Sequence, residues 1–196
     1  MKIKQSKLNI ASECFAKYGY DKTSLEILST KMNIALSTFC YQFKNKDVVF
    51  RAVLDDEIEQ FKNLIQRVIE KNTNPFNSIC AYIVARTIGL QKSKNLVLVI
   101  TNKSLSRKFL NHQIVQEFTE RETEYLEDIL QSGVENGLFQ IEDITIGALA
   151  ISSTLQSMEK ELNQFSNIEK SIEKLYGILN IILFGIVKVK KDNTLE

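Results

Sequence analysis

Polar side chains of two kinds are concentrated in a short stretch near the N-terminus, residues 36–46. Uncharged groups come first and lysines follow: Ser37, Thr38, Tyr41 and Gln42, then Lys44 and Lys46. Hydroxyl and amide groups read the edges of bases in a DNA groove, whereas lysines hold phosphates. The types and order of these residues therefore predict contact with double-stranded DNA.

Two helices are predicted to lead into this stretch. Residues 3–18 place apolar side chains at three- and four-residue steps, which is typical of an amphipathic helix. Thr23 and Glu26 form a capping-box pattern that opens a second helix. Asn33 stands at the following turn, and asparagine is the residue after glycine that best tolerates a left-handed backbone.

The polar stretch itself is predicted to form a third helix, over about residues 36–42. Phe39 and Phe43 lie one turn apart and are expected to face a small core, which leaves the polar side chains exposed. Asn45 can cap a fourth helix. This order of elements is the layout of a helix-turn-helix, in which the second helix enters the major groove.

These residues resemble the DNA-binding domain of the tetracycline-repressor (TetR) family of bacterial transcription regulators. The resemblance rests on residue types, spacing and position, and it is carried by Phe15, Gly19-Tyr20, Thr23-Ser24, Asn33-Ile34, residues 38–43 and Asn45-Lys46. It covers about the first quarter of the chain, and the rest resembles the family only in general character. Cys40 departs from the pattern, because the family usually has a phosphate-contacting tyrosine there.

The resemblance implies which residues contact DNA: Thr23, Ser24, Leu36, Ser37, Thr38, Cys40, Tyr41, Gln42, Lys44 and Lys46. Lys46 opposes the dipole of the helix that it begins, which makes sense if a phosphate binds there. An ordinary surface lysine is the alternative explanation. The family also implies a repressor that binds a palindromic operator as a homodimer and responds to a small-molecule effector of unknown identity.

The distribution of charge agrees with a DNA-binding N-terminus. Residues 1–50 carry 8 lysines and 4 acids, a net charge of +4. Residues 51–196 carry 17 lysines and arginines and 20 acids, a net charge of −3. A basic N-terminal segment followed by an acidic remainder is suited to binding phosphates through the N-terminal segment.

The whole chain is predicted to be all-α, with about nine helices in two domains. Residues 1–46 form the helix-turn-helix domain, and residues 47–196 form a helical domain for ligand binding and dimerisation. One proline and seven glycines in 196 residues favour long helices. After the third helix, further helices are predicted at about 46–70, 75–89, 96–100, 112–135, 143–164 and 167–190. The apolar run 96–100 does not by itself distinguish a strand from a buried helix, and a helix is predicted because its neighbours are helical.

The last two predicted helices favour a homodimer. The final helix is apolar around most of its circumference, and the helix before it carries small residues that allow close packing. A partner subunit would cover such a surface, although the centre of a monomeric bundle is the alternative. The candidate interface residues are Leu149, Leu155, Leu175, Leu179, Ile182 and Ile186.

Several polar or aromatic residues within apolar helical faces are candidates for binding the effector: Phe61, Tyr82, Arg86, Phe118, Arg121 and Tyr125. Ligand cavities are mostly apolar with a few placed polar groups. For the polar members, the favoured alternative is a surface position or ion pairs with one another, and for Phe61 and Phe118 it is a place in the core.

Other classes of function have little support in the sequence. His112 is the only histidine, and Cys14, Cys40 and Cys80 are widely spaced, so no metal, cofactor or disulfide framework is predicted. No nucleophile–base motif points to an enzyme such as a hydrolase. The stretch 178–187 is too short to span a membrane, and a cytoplasmic protein is expected. A helical small-molecule carrier with a degenerate DNA-binding head remains the alternative, favoured by Cys40.

Overall fold

A computed structural model describes residues 4–71, 74–109, 112–162 and 168–184. Within these ranges, residues 112–119, 158–162, 168, 171–172, 179 and 182–184 are described by their backbone alone. Every regular element in the described ranges is an α-helix: α1 Gln5–Tyr18, α2 Leu25–Lys31, α3 Leu36–Phe43, α4 Lys46–Lys71, α5 Pro75–Lys92, α6 Lys94–Thr101, α7 Lys103–Phe109, α8 His112–Glu135, α9 Ile144–Leu162 and α10 Ile168–Phe184. The prediction of an all-α fold is confirmed.

One helix, α7, is absent from the sequence prediction, so the described residues contain ten helices where about nine were expected. Asn102 opens this helix, because its side-chain oxygen accepts hydrogen bonds from the backbone N–H groups of Ser104 and Leu105. Leu105 and Phe109 lie four residues apart and are both buried. The local signals for a short amphipathic helix are thus present.

The start of α5 agrees with the sequence prediction and its end does not. Asn74 caps the helix by accepting hydrogen bonds from the N–H groups of Phe76 and Asn77. The helix continues past Gly89, its predicted end, to Lys92. A Cβ atom at Gly89 would lie 2.6 Å from the ring of Phe61, so this glycine serves a close approach of α5 to α4.

The chain divides into two compact units. The first unit contains residues 1–71 and 85–120, and the second contains residues 72–84 and 121–196. This division is one of packing, whereas the predicted boundary between residues 46 and 47 separates functions. The functional division stays a prediction.

The first unit is organised around four aromatic rings from three helices and one loop. Phe15, Phe50 and Phe109 are buried with Tyr20, which follows α1. Phe50 packs edge-on against Phe15 and Phe109, with ring centroids 4.7 and 4.8 Å apart. Such pairs contribute about 0.5–1.5 kcal/mol beyond their buried area. The aromatic cluster thus joins α1, α4 and α7.

A buried carboxylate ties α6 to α1 and α4 in the same unit. Glu57 accepts hydrogen bonds from the Ser12 hydroxyl, the Asn95 amide and the backbone N–H of Leu96, the latter two at 2.8 Å. The carboxylate therefore caps the N-terminus of α6 from another helix, since Ser93 provides no side-chain cap. The first unit holds α6 in place through both apolar and polar contacts.

The second unit also contains a buried polar group. Glu122 is 3% exposed, accepts a hydrogen bond of 2.7 Å from the Tyr82 hydroxyl and another of 3.1 Å from the Ser152 hydroxyl. Gln156 lies within hydrogen-bond distance of the same carboxylate. The surrounding core is apolar and includes Leu126, Leu130, Ala148 and Ile151. Among the described residues, no helix is long and apolar enough to cross a membrane.

Candidate DNA-binding surface

The third helix presents its polar residues to solvent because two phenylalanines fix its other face. Phe39 and Phe43 are buried, and their ring centroids lie 4.7 Å apart. Ser37, Thr38 and Cys40 are exposed, Gln42 is half-buried, and Tyr41 is 90% exposed. The predicted orientation of the helix is confirmed, including the exposed position of Cys40.

Two residues with positive φ stand at the ends of this region. Asn33 has φ of 53°, which confirms the expected left-handed turn between α2 and α3. Lys44 has φ of 56° and ψ of −57°, and the N–H of Asn45 donates to the carbonyl of Phe43. This geometry is a γ-turn of the rare, strained hand. It turns the chain sharply from α3 into α4, where Asn45 caps the helix at Val48 as expected.

The start of α2 differs from the prediction. Ser24 is the capping residue, since its hydroxyl accepts a hydrogen bond from the N–H of Ile27. Thr23 is completely buried, and its hydroxyl donates to the carbonyl of Gly19 at 2.7 Å. The predictions that Thr23 caps α2 and contacts DNA are therefore wrong in this arrangement, because its side chain closes the loop after α1.

Lys46 also makes contacts that the sequence analysis did not predict. Its ammonium group donates to the carbonyls of Tyr20, Asp21 and Thr23 at 3.0, 3.3 and 3.4 Å. It also lies 4.3 Å from the centre of the Tyr20 ring, within range of a cation–π interaction. These contacts use the charge to hold the loop between α1 and α2, so we expect Lys46 to stabilise this loop, and its assignment as a phosphate-binding residue stays a prediction.

A charged cluster joins that loop to α4 and α7. Lys108 donates to Asp47 at 2.8 Å and to the Tyr20 hydroxyl at 2.7 Å, and the Tyr20 hydroxyl donates to Asp47. Burial, followed by the hydrogen bond to Asp47, raises the pKa of Tyr20. Burial acts to raise the pKa of Asp47, but the hydrogen bonds from Lys108 and Tyr20 outweigh it and lower that pKa. The cluster is thus a neutral tyrosine between opposite charges.

The remaining candidate residues form a continuous stretch from the start of α3 to the turn after it, with one further residue at the start of α2. They are Ser24, Leu36, Ser37, Thr38, Cys40, Tyr41, Gln42 and Lys44, all exposed or half-buried. Lys44 is the exposed cation of this stretch. The surface combines groups that read bases with a group that holds a phosphate.

The predicted effector-binding residues occupy different environments. Phe61 and Arg86 are buried in the first unit, and Phe61 packs against Gly89. Tyr82 is buried in the second unit beside Glu122, whereas Tyr125 is half-buried and Arg121 is exposed. The side chain of Phe118 lies outside the described residues. Exposure of Arg121 argues against its place in a closed cavity, and the cavity itself stays a prediction.

The predicted dimer residues separate into three groups. Leu149 is 56% exposed, consistent with an interface position. Leu155 and Leu175 are 2% exposed, so we correct their assignment: they pack inside the second unit of a single chain. Leu179, Ile182 and Ile186 have side chains outside the described residues. Ile146 and Ile181, which were not among the predicted interface residues, are also exposed, at 64% and 51%.

Comparison with known proteins gives a family match in the N-terminal part of the chain. Residues 8–53 match the family model described as bacterial regulatory proteins, tetR family. Over 131 residues the chain is 20% identical to YhgD, an uncharacterized HTH-type transcriptional regulator of Bacillus subtilis, covering 66% of this chain and 68% of YhgD.

Solved structures extend the likeness to the whole chain. PfmR, a TetR family regulator from Thermus thermophilus, has a TM-score of 0.68 at 18% identity, covering 96% of this chain and 100% of PfmR. A transcriptional regulator from Cytophaga hutchinsonii has a TM-score of 0.72 at 18% identity, covering 94% of this chain and 98% of its own. At these identities the structural likeness establishes the fold.

The match of residues 8–53 to bacterial regulatory proteins, together with the exposed helix α3, supports a DNA-binding transcription regulator, a class distinct from enzymes. Its N-terminal helix-turn-helix and the relatives above indicate which family of regulators it resembles. The helix-turn-helix over residues 8–53 matches the tetR family of bacterial regulatory proteins, and the whole chain is similar in fold to solved regulators of that family.

Proposed function

We propose that this regulator is a ligand-responsive repressor that binds a palindromic operator as a homodimer in the cytoplasm. The observation that carries the proposal is the recognition helix α3, whose buried Phe39 and Phe43 leave a polar face exposed. Gln42 can form a bidentate contact with an adenine edge, and serine or threonine hydroxyls can bond several bases. Lys44 supplies a positive charge beside them for a phosphate.

The homodimer is supported by apolar side chains on the second unit. Ile146 and Leu149 of α9 and Ile181 of α10 are more than half exposed in the single chain. Exposed large apolar residues on adjoining helices are costly in water and mark interaction surfaces. Two copies joined by a two-fold axis would present two recognition helices, and a two-fold protein reads an inverted repeat.

The response to a ligand is supported by the polar group around Glu122. Tyr82, Ser152 and Gln156 converge on this carboxylate from helices α5 and α9 within an apolar core. An effector that replaced one of these hydrogen bonds would alter the packing of α5, α8 and α9. A ligand changes DNA affinity only if it binds one conformation better than the other, and we expect exchange of these hydrogen bonds to create such a difference.

The experiment is selection of duplexes from a random library by the wild-type protein. We expect enriched sequences to contain an inverted repeat, and sedimentation to give two protomers per duplex at saturation. A Gln42→Ala variant should lose preference at particular base pairs while keeping its affinity for random DNA. Enrichment of an asymmetric site occupied by one protomer would contradict the operator model, and no enrichment at all would favour the carrier alternative.

The repressor and its response are tested next with the selected duplex placed over a promoter. Transcription should fall when the wild-type protein is added, whereas Gln42→Ala should have a smaller effect at the same concentration. Compounds that shift the melting temperature of the protein should then release the duplex. A rise in transcription on adding the protein would identify an activator instead.

A further inference from the structure

The basic charge of this protein extends well beyond the helix-turn-helix. Residues of the first unit include 18 lysines and arginines and 11 acids, a net charge of +7, whereas those of the second include 7 and 13, a net charge of −6. Residues 85–120 alone carry six basic residues and two acids, as large an excess as residues 1–50. No acid occurs between Glu70 and Glu117. A second basic region therefore belongs to the same unit as the recognition helix.

Helix α7 presents much of this charge on one face. Lys103, Arg107 and Lys108 are exposed, and we call these three residues the α7 basic face. Leu105 and Phe109 are buried on the other side of the helix. Within the described part of the chain, Lys103 and Arg107 form no ion pair, whereas Lys108 pairs with Asp47. Two of the three charges are thus available to a partner.

Contacts of α7 place the Lys108 end of this face next to the start of α4. The ammonium of Lys108 lies 2.8 Å from Asp47, three residues after Lys44 and in the first turn of α4. The Phe109 ring packs on Phe50 and on Tyr20, with centroids 4.8 and 5.0 Å away. Arg51 lies 5.9 Å from the same ring and adds another cation. The helix is therefore held against the segment that directly follows α3.

We propose that the α7 basic face binds DNA phosphates flanking the bases read by α3, so that the footprint of each protomer extends beyond the helix-turn-helix. The inference rests on the proposed operator binding. A DNA strand carries one phosphate for every 3.4 Å of axis, so a backbone held at Lys44 brings further phosphates near neighbouring cations. The partner is double-stranded DNA, because α7 packs against the start of α4, which directly follows the recognition helix, and because the positive face matches the charge of the phosphate backbone.

The test compares Lys103→Gln, Arg107→Gln and the double variant with wild type and with Lys71→Gln. Lys71 is an exposed residue of the same unit, and it lies at the other end of α4, about 37 Å from Lys46 at the helical rise of 1.5 Å per residue. Affinity is measured at several salt concentrations on a selected operator with long flanks, on the same operator with its flanks removed, and on random duplex. Melting curves verify that each variant folds.

We plot the logarithm of affinity against the logarithm of salt concentration. The slope should become shallower by about 0.9 for each phosphate that the variant no longer neutralises. The double variant should bind DNA more weakly than wild type, with the same loss of affinity on operator and random duplexes. Removal of the flanks from the operator should abolish this difference from wild type. Lys71→Gln should behave as wild type. An unchanged slope in the double variant, or an equal change in Lys71→Gln, would overturn the inference while operator selection by wild type still stands. Failure of that selection would refute the proposed function itself.

Discussion

Cys40 sets the chemistry of the recognition helix apart, since an exposed thiol occupies a face otherwise built of hydroxyl and amide groups. The other two cysteines are less accessible, and burial raises the pKa of the Cys14 and Cys80 thiols. A thiol with a raised pKa forms less of the reactive thiolate. An alkylating reagent should therefore distinguish Cys40 from the other two.

We predict that alkylation of Cys40 by N-ethylmaleimide weakens DNA binding and that bound DNA protects this thiol. Cys40→Tyr should fold normally and bind operator more tightly by about 0.5–1.5 kcal/mol, the contribution of one neutral hydrogen bond. Mass spectrometry and DNA titrations measure the two effects, and Cys40→Ser provides the unreactive control. Full alkylation without loss of affinity would show that Cys40 lies away from the DNA.

We predict that substitution of Lys46 affects stability, whereas substitution of Lys44 affects DNA binding. Lys46→Met should lower the free energy of unfolding by about 1–3 kcal/mol, because it removes a charged donor from three carbonyl groups of the first unit. Its salt dependence on DNA should match wild type. Lys44→Gln should instead flatten the salt dependence by about one phosphate per protomer. Thermal melts and salt titrations decide, and the reverse pattern would support Lys46 as the phosphate ligand.

The sequence predicted single residues well where their neighbours along one helix decide the outcome. Phe39 and Phe43 occupy one face of α3, and the exposed position of Cys40 follows from them. The sequence did not predict the partners of Thr23 and Lys46, which are backbone carbonyls brought close by the tertiary fold. No spacing rule identifies such a carbonyl in advance.

At the scale of elements, α7 is attached to the DNA-binding head by a small electrostatic cluster. Lys108 lies between Asp47 at the start of α4 and the Tyr20 hydroxyl, and Phe109 packs on the same tyrosine. The attachment therefore has a polar part and an apolar part. The polar part depends on the charge of Asp47, which gives it a pH dependence.

We predict that Asp47→Asn destabilises the protein near pH 7 but has little effect near pH 3. The pKa of Asp47 is lowered in the folded state by the hydrogen bonds from Lys108 and Tyr20, which outweigh the opposing effect of burial. A lowered pKa means that the stabilisation is present above the unfolded-state value of about 3.9 and is lost as pH falls through the lower folded value.

Because Asp47 and Lys108 are partly exposed, solvent screening limits the difference to about 0.2–1 kcal/mol. Chemical denaturation of both proteins from pH 3 to 8 measures it. The matched control is Asp21→Asn, which changes an exposed acid in the loop after α1. It should leave the free energy of unfolding unchanged at every pH. A constant difference between wild type and Asp47→Asn over this range would contradict the assignment.

Periodicity and caps predicted most elements because they act over a few residues. Asn45, Asn74 and Asp143 cap α4, α5 and α9 through hydrogen bonds to nearby backbone N–H groups. The helix α7 was missed because seven residues give too short an apolar stripe to recognise. Gly89 was taken for a helix end because a glycine that permits close packing has the same local appearance.

At the scale of the whole molecule, the exposed apolar residues of α9 and α10 support the proposed homodimer. Periodicity predicted that these helices bury more surface than one chain supplies, but it did not distinguish the inner face from the outer one. Leu155 and Leu175 face the interior of the second unit, whereas Leu149 faces outward. Both kinds of position are apolar, and only the packed structure separates them.

We predict that Leu149→Glu and Ile181→Glu each convert the dimer to a folded monomer. Both side chains are more than half exposed in the single chain, so a charge there should leave the protomer intact while opposing a buried interface. Sedimentation and circular dichroism measure assembly and folding. Gln140→Glu, an exposed change before α9, should remain dimeric. Dimeric Leu149→Glu and Ile181→Glu proteins would place the interface elsewhere.

Lys44 is subject to two opposing requirements: the γ-turn favours glycine at this position, whereas binding of a phosphate favours a positive charge. A side chain at φ of 56° and ψ of −57° is costly for an L-amino acid, and glycine has no such cost because its two faces are mirror images. Lys44→Gly should therefore raise the melting temperature while it weakens DNA binding. This position would then be one where selection for thermal tolerance and selection for operator affinity favour different residues.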